Sequence, residues 1–190
     1  YFELSNDIEF VSKYIEITSA ICLQFLKNCK SYQKHSLLKF RQYLKDDQPD
    51  VILEYFNKTN DFDIILKYDL LDLNIAIKFV LNGGNIDLIY KNNKKIFFEL
   101  IKLYPDILSK SVISDLDTCK EIVGVSSKSF KYLKKYDLTI AENAICDDPE
   151  NIRFISQNRN HDFCVDMICK NVDCLKFIHI RIDCMFNKLP

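Results

Sequence analysis

Cysteine and histidine are the residue types in this sequence that could build a metal or redox site. In the last part of the sequence they recur every five residues, at Cys164, Cys169, Cys174, His179 and Cys184. Zinc sites commonly place paired ligands about two to four residues apart, so that both reach one ion. Steps of five residues on a helix rotate by about 500°, so successive side chains diverge. We therefore interpret these residues as core or part-buried thiols, with a metal or redox site as the alternative, and expect no metal or other cofactor.

The other reactive residues have simpler interpretations. His35 and His161 are too scattered to indicate a site, and no histidine is paired by sequence with a cysteine or serine for nucleophilic catalysis. The carboxylate pairs at 46–47 and 147–148 fall in predicted turns, where helix capping and solvation explain them. Gly83 and Gly84 lack the lysine and serine of a phosphate loop and indicate a turn. The sequence therefore predicts no catalytic residue and favours a function other than that of an enzyme.

The composition limits both the class of protein and the class of partner. The chain has 190 residues, 48% hydrophobic and 28% charged, as in a globular domain. Its 26 basic and 27 acidic residues give a formal net charge of −1, whereas nucleic-acid binders usually carry a basic excess. No apolar run approaches the ~18–20 residues of a membrane helix. The 8 cysteines occur without a secretory signal, which predicts reduced thiols and a cytoplasmic location.

A pattern of one apolar, one basic, one aromatic and one aliphatic residue recurs three times. It occupies 130–133, 152–155 and 175–178, at an offset of roughly 22 residues, and an apolar pair and a polar turn precede each copy. About 22 residues hold two short helices and their connections. Neither helix would be stable alone, whereas stacked hairpins bury each apolar stripe against its neighbours, as in a solenoid.

The same order of apolar pair, polar turn and apolar pattern continues upstream with more variation, giving about six units from Asp50 to Asp183. The first 48 residues do not fit it, and their apolar positions predict two or three longer helices, including one over 21–29 and one over 35–44. With only 3 glycines and 4 prolines, the chain has few residues for the turns of a β protein. We therefore predict an all-α fold: an N-terminal helical cap over residues 1–48, and over 49–190 a solenoid-like array of helix–turn–helix repeats with one continuous core.

The basic residues of the recurring pattern form the candidate binding site. Equivalent positions of a solenoid line up on one face, which here would carry Lys131, Arg153 and Lys176, extended by Lys134 and Lys135. In the upstream units, the position equivalent to these basic residues holds Asp63 and Asp87. The array is therefore predicted to be basic toward its C-terminal end and acidic toward its N-terminal end. One interpretation is a solvated face, and the other is docking of an acidic protein or of nucleic acid.

The segment Asp148-Pro149-Glu150-Asn151-Ile152-Arg153-Phe154-Ile155-Ser156 resembles a known repeat type. It is similar to the short helical-hairpin repeats of unknown function found in giant viruses and some amoeba-associated bacteria. Residues 171–178 match the same pattern, with His179 in place of the serine, and the resemblance covers about residues 117–183. It implies an α-helical array of viral origin and supplies no catalytic residues. Residues 76–87 also resemble part of an ankyrin repeat, but the unit is shorter than the ~33 residues of ankyrin.

This architecture predicts a class of function. Repeat arrays offer extended surfaces and few small-molecule pockets, so the leading hypothesis is a protein–protein interaction or scaffold module that acts in a host cell or a virion. Its expected partner is another protein, acidic if it binds the basic positions, with no membrane and no small-molecule substrate. The alternatives are a structural component of a virion or larger assembly, and a viral regulator of host death or immune signalling with a compact helical bundle.

Overall fold

The computed structural model describes residues 18–28, 37, 40–45, 48–155 and 161–178. Every regular element in these ranges is a helix, which confirms the predicted all-α class. The chain divides into two compact units, Tyr1–Gly84 and Asn85–Pro190. The boundary expected between residues 48 and 49 stays a prediction.

Aromatic side chains stack on one another in the core of the first unit. Its described elements are α1 (Ser19–Asn28), the 3₁₀ helix η1 (Arg41–Tyr43), α2 (Pro49–Thr59), α3 (Phe62–Lys67) and α4 (Leu73–Leu81). The Phe40 ring is stacked 5.2 Å from Phe25 and 6.2 Å from Tyr55, centroid to centroid. Helix α1 agrees with the helix predicted over 21–29. Much of the helix predicted over 35–44 lies outside the described residues, as do the first 17 positions.

The turn after α4 requires glycine at two successive positions. Gly83 has a φ of +86°, a left-handed conformation that side chains disfavour. At Gly84 a Cβ atom would lie 2.5 Å from the Phe79 ring. This pair therefore forms the turn that the sequence predicts.

The second unit alternates α-helices with 3₁₀ helices. In order, its described elements are α5 (Ile86–Asn92), α6 (Lys94–Leu103), η2 (Pro105–Lys110), α7 (Leu116–Val125), η3 (Ser127–Tyr132), α8 (Leu138–Asp147), η4 (Pro149–Phe154), α9 (His161–Lys170) and η5 (Val172–Lys176). The sequence predicts a helix at each of these 3₁₀ segments but does not specify its type. A 3₁₀ helix rises about 2.0 Å per residue against 1.5 Å in an α-helix, so five or six residues extend along most of the neighbouring ten-residue α-helix.

Short polar side chains fix where these helices begin. The N-cap oxygens of Asn93, Asp115 and Asp137 accept the backbone N–H three residues later, at 3.1, 2.9 and 2.9 Å. A single residue then ends each of α6, α7, α8 and α9 and begins the following 3₁₀ helix: Tyr104, Ser126, Asp148 and Asn171. Asp148 before Pro149 is thus a helix start, as the sequence predicts.

Two apolar clusters connect neighbouring elements of the second unit. One joins α7, η3 and α8 and contains Cys119, Val123, Phe130, Ile140, Ala141 and Ala144. The other joins α8, η4, α9 and η5 and contains Ile145, Ile152, Met167 and Cys174. Consecutive α-helices from α6 to α9 contact one another, and so do consecutive 3₁₀ helices from η2 to η5. This packing sets the 3₁₀ helices side by side.

Candidate interaction surface

The basic residues predicted to share one slot lie on successive 3₁₀ helices. Lys131, Arg153 and Lys176 belong to η3, η4 and η5, and all three side chains are exposed. Because η3 packs against η4 and η4 against η5, equivalent positions on these helices are neighbours. Lys134 and Lys135 follow η3 directly and are also exposed.

Lys131 of η3 and Arg153 of η4 each contact the aromatic residue of the next copy of the recurring pattern. The Lys131 ammonium lies 5.9 Å from the centroid of the Phe154 ring, and it is also 5.0 Å from the Tyr132 ring. The Arg153 guanidinium lies 4.8 Å from the centroid of the Phe177 ring. Both are within the range of an attractive cation–π interaction. The basic and aromatic positions of the recurring pattern therefore bind one helix to the next.

Two of the predicted residues are also neutralised by carboxylates one turn earlier. Arg153 pairs with Glu150 at 3.4 Å, and Lys176 pairs with Asp173 at 2.7 Å. Exposed pairs of this kind add little stability, but each places a negative charge beside the positive one. Arg153 and Lys176 therefore present less net charge to a partner than the sequence alone suggests.

A stretch around η3 retains its positive charge. Its four lysines, Lys128, Lys131, Lys134 and Lys135, are all exposed, and no acidic residue occurs from Ile122 to Tyr136. None of them forms an ion pair with a carboxylate of the described residues. We call these four residues the lysine patch. Lys128 lies outside the recurring slot, and the absence of nearby acids was the sequence signal that could have identified it.

A groove of about 270 Å³ runs between η3 and η4 beside the patch. Its lining consists of Lys128, Lys131, Asp148, Glu150, Asn151 and Phe154. The acids are already engaged: Asp148 accepts the Glu150 backbone N–H at 3.2 Å, and Glu150 pairs with Arg153. The groove offers a partner two lysine ammonium groups and a Phe154 ring that is 43% exposed, while the Asp148 and Glu150 carboxylates place negative charge on its η4 side.

Asn151 fixes the floor of this groove. It is 2% exposed, and its amide nitrogen donates to the Ser127 carbonyl at 2.9 Å and to the Ala144 carbonyl at 3.0 Å. One side chain thus joins the start of η3 to the last turn of α8. Because a buried amide with two good bonds has little freedom to move, the spacing between η3 and η4 is held firmly.

The acidic residues predicted for the upstream slot differ in environment. Asp63 is exposed on α3 of the first unit. Asp87, on α5, accepts the Ser111 hydroxyl at 2.5 Å and the Val112 backbone N–H at 3.0 Å. The Asp87 carboxylate therefore anchors the segment that follows η2.

The cysteines differ in exposure. Cys119, Cys164 and Cys174 are buried, whereas Cys146 and Cys169 are exposed. Burial raises the pKa of the Cys119 and Cys174 thiols. Over the described residues, no three cysteine, histidine or carboxylate side chains converge as metal ligands. His179 and Cys184, the last members of the five-residue series, lie outside those residues.

Comparison of the chain with known protein families, curated proteins and solved structures gave no match. No described helix is both long and apolar enough to cross a bilayer.

Proposed function

We propose that this chain is a non-enzymatic interaction or scaffold module of viral origin, that its second unit is a solenoid-like stack of helical hairpins, and that the lysine patch docks an acidic protein. The observation that carries the proposal is the patch itself. Four exposed lysines lie within eight residues and have no carboxylate partner among the described residues. Uncompensated surface charge of one sign attracts a complementary partner and speeds its encounter.

Recurring geometry supports the stack. The N-caps Asn93, Asp115 and Asp137 are 22 residues apart, and Asp72 caps α4 in the same way, 21 residues before Asn93. The four residues that join an α-helix to its 3₁₀ helix have φ between −154° and −135°. Caps and joints that repeat every 21–23 residues are what a stack of equivalent hairpins requires. We infer that such a stack is the scaffold that carries the lysine patch.

The overall charge favours a protein partner over nucleic acid. The chain has a net charge of −1, and the patch is confined to one segment. A nucleic-acid surface would need lysines and arginines spread along the path of a phosphate backbone. A short acidic protein segment needs only a few.

Capture from the native cell with two matched variants tests the proposal. The first changes Lys128, Lys131, Lys134 and Lys135 to Glu. The second changes the exposed lysines Lys91, Lys95, Lys102 and Lys120 to Glu, with the same change in net charge. We expect acidic proteins to be captured by the unmodified chain and by the second variant but not by the first. We also expect the captured proteins to dissociate as the salt concentration rises. Equal recovery on both variants would show that the lysine patch is not the docking surface.

A further inference from the structure

The groove between η3 and η4 has a spacing that matches an extended peptide. Lys128 and Lys131 are three residues apart on η3, and side chains at this interval eclipse one another on a 3₁₀ helix, about 6 Å apart along its axis. In an extended chain, alternate residues share one face and are about 6.7 Å apart. Two acidic side chains at alternate positions of a peptide would therefore meet the two lysines together.

The rest of the groove favours an apolar residue beside the two acidic residues of the peptide. The Phe154 ring is 43% exposed on the η4 side of the groove, next to Lys131. An apolar side chain further along the same face of the peptide would cover it and exclude water from the neighbouring ion pairs. The pattern that fits is acidic, any residue, acidic, any residue, apolar.

The carboxylates of the groove disfavour a polyanion. Asp148 and Glu150 line the groove from the start of η4, whereas Lys128 and Lys131 line it from η3. A nucleic acid carries a charge on every phosphate and would bring some of them toward these two carboxylates, whereas a peptide can place its acids on the lysine side alone. The geometry points to an extended acidic protein segment with alternating acidic residues as the occupant of this groove, an inference that rests on the proposed docking function.

Peptide binding measured by fluorescence anisotropy tests this assignment. One labelled peptide carries Glu-Thr-Glu-Thr-Leu, and its isomer carries Glu-Glu-Thr-Thr-Leu between the same flanks. We expect the alternating peptide to bind about fivefold more tightly, because only it forms both ion pairs at once. Lys128→Gln should abolish this preference, and Lys120→Gln on α7 should leave it intact. Lys128 is the better variant than Lys131, whose ammonium also stacks on Phe154.

Two outcomes overturn the assignment. Equal affinity for the two isomers would show that the groove does not select alternating acidic residues. If neither peptide then binds the variant in which all four lysines are changed to Glu, the lysine patch would still be the docking surface. Tighter binding of a single-stranded RNA or of anionic vesicles, with displacement of the peptide, would reject a protein segment as the occupant. Circular dichroism melting of each variant verifies that it remains folded.

Discussion

The guanidinium of Arg153 stacks 4.8 Å from the ring of Phe177, the residue that directly follows η5. Lys131 and Phe154 have the same relationship one hairpin earlier, at 5.9 Å. The two contacts give the basic and aromatic positions of the recurring pattern a structural role in addition to any role in binding. The first contact joins η4 to the residue after η5, and the second joins η3 to η4, both on the exposed side of these helices.

The first prediction concerns the strength of this contact. In a double-mutant cycle with Arg153→Gln and Phe177→Leu, we expect a coupling of about 0.5–1 kcal/mol, the usual range for an exposed cation–π pair. Urea unfolding of the two single variants and the double variant measures it. The cycle separates the stacking from the Arg153–Glu150 ion pair, because Arg153→Gln removes that ion pair equally with and without Phe177→Leu. A coupling indistinguishable from zero would mean that the contact does not hold the hairpins together.

Asn151 and Ser129 occupy equivalent positions of η4 and η3 but differ in their bonding. Asn151 donates two hydrogen bonds, whereas the buried Ser129 hydroxyl has no partner in the part of the chain that is described. We expect Asn151→Ala to lower the free energy of unfolding by about 2 kcal/mol, since two carbonyls lose a donor. Ser129→Ala should be neutral or stabilising by up to about 1 kcal/mol. Similar losses in both variants, measured by urea unfolding, would contradict this interpretation.

The positions of the predicted site residues followed from periodicity, but their chemistry did not. An interval of roughly 22 residues was enough to place Lys131, Arg153 and Lys176 on successive helices. It could not show that Lys131 and Arg153 each meet the aromatic residue of the next copy of the pattern, because that contact depends on how adjacent helices pack. Lys128 was missed for a related reason: a repeat frame directs attention to equivalent positions, and its charge is significant only through the absence of nearby acids.

The sequence pattern also could not predict which helices are α-helices and which are 3₁₀ helices. The ten-residue helices α7 and α8 each show a full amphipathic period. The six residues of η3 or η4 are too few for the spacing of apolar residues to distinguish an α-helix from a 3₁₀ helix. The cap at Asp148 and Pro149 was readable because it depends only on local residue types.

A pH-dependent prediction follows from Asp115. Hydrogen bonds from the Thr118 hydroxyl, at 2.6 Å, and the Thr118 backbone N–H, at 2.9 Å, lower the pKa of the Asp115 carboxyl below its ordinary 3.8. A lowered pKa stabilises the fold above pH 3.8, and that stabilisation is lost as the pH falls through the lower, folded-state value. Asp115→Asn keeps an N-cap but removes the charge. We expect the unmodified chain to be more stable than this variant at neutral pH, by a margin that shrinks as the pH falls below 3.8. A constant margin in urea midpoints across that range would disprove the charge effect.

Gly124 and Gly84 provide a matched pair for the last prediction. A Cβ atom added to Gly124, in the last turn of α7, meets nothing within 4 Å, whereas one added to Gly84 meets the Phe79 ring at 2.5 Å. Gly124→Ala should therefore raise the free energy of unfolding by about 0.5–1 kcal/mol, because alanine loses less backbone freedom on folding. Gly84→Ala should lower it by about 1–3 kcal/mol, because Phe79 is buried and stacked 4.2 Å from Phe62, which leaves the ring little room to shift. Thermal unfolding followed by circular dichroism compares the two variants, and a loss of stability in Gly124→Ala would show that this turn of α7 is more tightly packed than its open surroundings indicate.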